Sequence, residues 1–160
     1  MAVYTKINKK DISYINRKFD VEEILEFEGI KQGIENTNYL LKSKNKKFIL
    51  TIFEKRVSKK ELPFFMNLMD KLNNSKINCP KPQKKKDGGY LINLKNKAAC
   101  IVSFLTGKDK KSLNFRNCYD IGKMIAEMHQ STKKINLTRK NSMGVRNLNP
   151  LLKSIKCKFF

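Results

Sequence analysis

Residues 29–39, GIKQGIENTNY, combine two glycines, Gly29 and Gly33, with the polar run Asn36-Thr37-Asn38 in a turn between two strand-like segments. A turn of this kind can bind phosphate. Backbone amides that no Cβ obstructs can cradle phosphate oxygens, and amide or hydroxyl side chains can add donors. The candidate phosphate loop is Gly33, Ile34, Glu35, Asn36, Thr37 and Asn38. Standing alone, a glycine hairpin is more often only a turn, so its neighbours must decide.

Those neighbours form a recognisable order. Ile24-Leu25-Glu26-Phe27-Glu28 alternates apolar and polar, Asn38-Tyr39-Leu40-Leu41-Lys42 does so more loosely, and KFILTIFEK, from Lys47 to Lys55, is a third strand. Glu61 then opens an amphipathic helix to about Lys76, with Leu62, Phe65, Leu68, Met69 and Leu72 on one stripe. Strand, glycine turn, strand, strand, helix is the small-lobe order of a kinase. There a loop covers the phosphates and a third-strand lysine is held by a helix carboxylate. Here the corresponding place holds Thr51, and alternation puts Lys55 on the same face, so Lys55, Glu61 and Thr51 are the phosphate-pairing candidates. An exposed Lys55–Glu61 ion pair is the other reading.

The remaining elements supply the frame. Asn8 caps a first helix with Asp11 three residues on, and Ile12, Ile15 and Phe19 form its stripe. A break over residues 78–82 and a turn at Lys86-Asp87-Gly88-Gly89 lead into Tyr90-Leu91-Ile92. After a second turn at Lys95-Asn96, residues 98–105 form the most apolar strand, expected inside the sheet. A helix over about 114–131 carries the stripe Cys118, Ile121, Ile125 and Met128, with His129 beside it as a packed histidine rather than a catalytic base. The expected class is α+β: an antiparallel sheet with its helix in 1–105, a linker at 106–113, and the start of a helical large lobe in 114–160.

The opening MAVYT, GIENTNY at 33–39, ILTIFEK at 49–55 and ELPFF at 61–65 resemble the bacterial homoserine kinases of the aminoglycoside phosphotransferase and choline kinase type. CPKP at 79–82, AACIVSFLTG at 98–107 and GKMIAEMH at 122–129 extend the resemblance to about Pro150. It implies a protein-kinase-like fold, with residues 33–38 closing over the phosphates of ATP. Ser103, Phe104 and Leu105 would form the hinge that meets adenine, a plain buried strand being the other reading. The implied reaction moves the γ-phosphate of ATP to the hydroxyl of L-homoserine with Mg2+, for threonine synthesis. Two departures stand out: Thr51 replaces the lysine, and the family's His-Gly-Asp loop with its following Asn and later Asp is absent. Catalytic residues and metal ligands are therefore expected downstream of Phe160, and little turnover is expected of residues 1–160 alone. Choline, an aminoglycoside or a sugar is the alternative acceptor.

Composition narrows the classes further. With 160 residues and 40% hydrophobic content, the chain can bury one sizeable core. The longest apolar run, residues 98–102, is too short to cross a bilayer, and the lysine-rich start lacks a signal segment, so a cytoplasmic location is expected. Cys79, Cys100, Cys118 and Cys157 are scattered, which favours reduced thiols over zinc or disulfides. A net charge of +21 raises nucleic-acid binding as a second function. The lysines fall in separate turns, and only five of the 35 cations are arginine, the side chain that base and bidentate phosphate readout favour, which argues against it.

Overall fold

The computed structural model of the chain describes residues 3–55, 58–141 and 144–154. Asn8 opens α1 (Lys9–Lys18) with a reciprocal capping box: its side chain accepts the Asp11 N–H, and the Asp11 carboxylate accepts the Asn8 N–H. Those bonds satisfy donors that a helix start otherwise leaves open. Ile12, Ile15 and Phe19 then fall on one side and are buried, as their spacing predicts.

Five antiparallel strands follow: β1 (Glu26–Gly29), β2 (Thr37–Lys42), β3 (Lys47–Ile52), β4 (Leu91–Leu94) and β5 (Lys97–Ser103). Their spatial order, β1-β2-β3-β5-β4, places apolar β5 inside the sheet. Lys95 and Asn96 join β4 to β5 with φ of 51° and 63°, the left-handed pair that a two-residue hairpin needs to match strand twist. β3 ends at Ile52 and β5 at Ser103, each earlier than alternation suggests. The last ladder bond of β3 runs from Phe53 N–H to Ala98 O, and Lys55 beyond it stands exposed in a bend.

Directly paired residues share a face, so the register sorts the sheet into two surfaces. On one, Tyr39, Leu41, Phe48, Leu50, Ile52 and Ile101 pack under α1 as the main core. Leu41, Leu50, Ile52 and Ile101 are fully buried there. Each such side chain contributes about 1.5–3 kcal/mol relative to exposure. The opposite face carries Leu40, Ile49 and Val102 in one row and Asn38, Thr51 and Cys100 in the next.

α2 (Leu62–Asn74) lies over that second face, with Glu61 as its N-cap residue. It buries Leu62, Met66 and Leu72, while Phe65, Leu68 and Met69 are half-buried. It stops at Asn74 rather than Lys76, because Lys76 takes a left-handed φ of 62° and the Ile77 N–H closes back five residues onto the Leu72 carbonyl. α3 (Phe115–Thr132) starts from a second capping box, between Asn114 and Asn117. Its stripe is not buried: no residue of α3 is buried, and Ile121 and Ile125 are 43% and 42% exposed. Among the described elements α2 touches α3, and the stripe is half-buried at Met128 and exposed at Cys118, Ile121 and Ile125. α4 (Val145–Ser154) is a further helix that sequence reading missed, since Pro150 sits within it and argues against helix.

Candidate functional site

The loop between β1 and β2 is held at several points along its length. Gly33 has a φ of 104° with open space where a Cβ would stand, so it supplies left-handed backbone at an unobstructed position. Gly29 serves a different purpose. A Cβ there would come within 3.0 Å of the Val3 side chain, so its smallness admits the amino-terminal segment. Tyr4 donates its hydroxyl to the Ile34 carbonyl at 3.0 Å. Asn36 Oδ1 accepts the Glu54 N–H at 3.4 Å.

Thr37 is 0% exposed. Its Oγ1 accepts the N–H groups of Tyr4 and Thr5 at 2.9 and 3.1 Å and donates to Glu54 Oε1 at 2.7 Å. The expectation that this hydroxyl offers itself to phosphate is therefore corrected, for its proton is committed to Glu54. Asn38 Oδ1 accepts from Thr51 Oγ1 at 2.8 Å, so two residues singled out in the sequence meet on the open face. Ile34, at 84% exposed, and Glu35 stand at the loop tip.

Between this loop and the end of β5 lies a cleft of about 480 Å³, lined by Glu28, Gly29, Ile30, Lys31, Gln32, Leu40 and Phe104. At its β5 side, Ser103 donates its N–H to the Lys81 carbonyl, and Ser103 Oγ accepts the Lys81 N–H. Phe104 gives its N–H to the Lys47 carbonyl at 3.2 Å, and Lys47 Nζ lies 6.0 Å from the Phe104 ring. Ser103 closes the strand, whereas Phe104 and Leu105 lie beyond it and are exposed, so this stretch is not a plain buried strand. Of the three, Leu105 keeps an N–H with no backbone partner among the described residues.

The face is thus two-toned. An apolar row, Leu40, Ile49 and Val102, can take a flat ring, and the Asn38–Thr51 row beside it offers polar groups toward the loop. Beneath α2 the same face continues into an apolar cleft of about 410 Å³ that includes Thr51, Phe65, Met69, Cys100 and Val102.

The Lys55–Glu61 pairing is corrected. Lys55 is exposed past the strand end, and Glu61 Oε1 instead meets Arg139 Nε at 3.1 Å, with the guanidinium 5.0 Å from the Phe65 ring. The cation that does pair beside β3 is Lys97, with Glu54, and Thr5 joins both: it donates to Glu54 Oε1 at 2.7 Å and accepts from Lys97 Nζ at 2.7 Å. Burial alone would raise the Glu54 pKa, but the bonds from Lys97, Thr37 and Thr5 together with the Lys97 charge outweigh it and hold it below 4.5. Sequence reading passed over Glu54, Lys97, Thr5 and Tyr4. The available signal was alternation, which puts Glu54 with Leu50 and Ile52 on the core side. His129 is exposed and not packed, because the α3 side that carries it is uncovered.

No group of three or more His, Cys, Asp or Glu among the described residues could hold a metal ion. Cys79, Cys100 and Cys118 are free thiols, and burial pushes the Cys100 pKa up to about 12; Cys157 lies outside the described residues. No helix of the described residues is long and apolar enough to cross a membrane.

The chain is similar to known proteins over most of its length. The homoserine kinase of Paramagnetospirillum magneticum is 38% identical over 156 residues, covering 98% of this chain and 48% of that protein. That of Allorhizobium ampelinum is 40% identical over 145 residues, covering 91% of this chain and 45% of that protein. The chain spans about half the length of the curated relatives it matches. Among solved structures, a spectinomycin phosphotransferase in complex with ADP and spectinomycin has a TM-score of 0.64 at 14% identity, covering 79% of this chain and 39% of its own. A microcompartment-associated aminopropanol kinase has a TM-score of 0.64 at 14% identity, covering 84% of this chain and 44% of its own. The sheet, its two helices and the open face are therefore a kinase-like fold of the aminoglycoside phosphotransferase kind. With residues 26–152 matching its pattern, the chain belongs to the phosphotransferase enzyme family.

Proposed function

We propose that the chain is the ATP-binding portion of a homoserine kinase. The observation that carries this reading is the similarity to homoserine kinases along 98% of the chain, at 38% identity. The open face fits the nucleotide. Leu40, Ile49 and Val102 offer an apolar bed for adenine, Leu105 a backbone donor at its edge, and Asn38, Thr51 and the loop at 33–38 polar groups for the phosphates.

ATP supplies the phosphoryl group, and this chain's residues bind and orient it. In the whole protein the acceptor is the hydroxyl of L-homoserine. Magnesium, which a kinase holds through one or two carboxylates together with the ATP phosphates, is assigned no ligand among these residues in this reading. In this reading residues 1–105 form the small lobe, 106–113 the linker and 114–160 the start of the large lobe, in a cytoplasmic enzyme.

Calorimetry of the chain with ATP, ADP and adenosine tests the proposal. All three are expected to bind, ATP and ADP more tightly, with little homoserine-dependent ADP production. Absence of nucleotide binding, alongside salt-dependent binding of RNA or DNA, overturns it in favour of a basic nucleic-acid-binding protein. Rapid turnover with homoserine refutes the placement of the acceptor residues elsewhere.

A further inference from the structure

Glu54 is bonded into the phosphate loop twice. Its N–H donates to Asn36 Oδ1, and its carboxylate accepts from Thr37, which is buried completely. The same carboxylate, 10% exposed, takes Lys97 from β5 and Thr5 from the amino-terminal segment. Thr37 in turn receives the N–H groups of Tyr4 and Thr5, and the Tyr4 hydroxyl reaches the Ile34 carbonyl. One half-buried carboxylate therefore joins the amino-terminal segment, the end of β3, the start of β5 and the loop. A network that is satisfied throughout rigidifies the backbone it holds.

We propose that Glu54 is a positioning residue that, with Lys97, fixes the phosphate loop at the height needed to close over a nucleotide diphosphate or triphosphate. It acts through Thr37 and Asn36 and touches no phosphate itself. The inference rests on the reading of residues 33–38 as the nucleotide loop.

The test uses the chain with Glu54→Gln, which removes the charge and keeps the shape, Thr37→Val, and Thr37→Ser as the conservative restoration. Tyr4→Phe, which deletes only the bond to the Ile34 carbonyl, serves if Thr37→Val fails to fold. Two quantities are read: amide hydrogen exchange over residues 33–38, and affinity for ADP against adenosine.

Glu54→Gln and Thr37→Val are expected to speed loop exchange and to weaken ADP about ten-fold, the scale of one hydrogen bond to a charged group, with adenosine nearly unchanged. Thr37→Ser is expected to behave as wild type. Unchanged loop exchange in the variants overturns the clamp. Faster exchange with unchanged ADP affinity overturns its bearing on the nucleotide. Wild-type chain that binds neither ADP nor adenosine overturns the nucleotide reading itself, and the positioning role with it, whatever the exchange shows.

Discussion

Thr51 Oγ1 donates to Asn38 Oδ1 at 2.8 Å across β2 and β3. The bond is neutral, so this face presents an oriented amide and not a fixed cation. Thr51→Val keeps the size and removes the donor. It is expected to cost about 1 kcal/mol in urea unfolding and to weaken ATP several-fold while sparing adenosine. Equal losses for both ligands would place Thr51 outside the phosphate region.

Glu54 makes a second, pH-dependent prediction. Its folded pKa lies below the ordinary 4.5, so it contributes stability that is present above 4.5 and is lost as pH falls through the lower folded value. Glu54→Gln is expected to destabilise the chain by about 1–3 kcal/mol at neutral pH. That difference should stay constant down to about pH 4.5 and shrink below it, since both side chains are then neutral. Thermal unfolding of both proteins between neutral and acid pH measures it, and a difference that persists in acid would sink the assignment.

The sequence disclosed what is local and concealed what is not. The Asn8–Asp11 capping box, the Lys95-Asn96 turn and the strand rows follow from spacing within a few residues, and all are present. The clamp on the loop joins Glu54 to Lys97, 43 residues away, and Lys97 to Thr5, 92 residues away. No periodicity encodes such partners; only the sheet register brings them together. The Lys55–Glu61 pairing failed because alternation was extended past Phe53, where the last ladder bond lies. Along α3 the apolar spacing is real, but a stripe says which side is apolar, not what covers it.

Arg139 ties the segment after α3 to the start of α2 through Glu61 and the Phe65 ring. Arg139→Met keeps the length and removes both the ion pair and the cation–π contact. The expected loss is about 1 kcal/mol, because both groups are only partly buried. Hydrogen exchange should accelerate in the first turn of α2 and leave β3 and β5 unaffected. Uniform acceleration across the sheet would instead mean that Arg139 supports the whole fold.

The uncovered side of α3 sets up a competition between two surface forces. Ile121 and Ile125, at 43% and 42% exposed, favour association, while a net charge of +21 opposes it. Salt screens the charge within about 10 Å at 0.1 M and leaves the apolar attraction in place. Self-association in sedimentation velocity is therefore expected to increase with salt. Ile121→Glu with Ile125→Glu, one helical turn apart on the same side, should suppress it without changing the far-UV circular dichroism. A chain that stays monomeric at every salt concentration, or variants that associate as readily as wild type, would show that this helix side is not the adhesive surface.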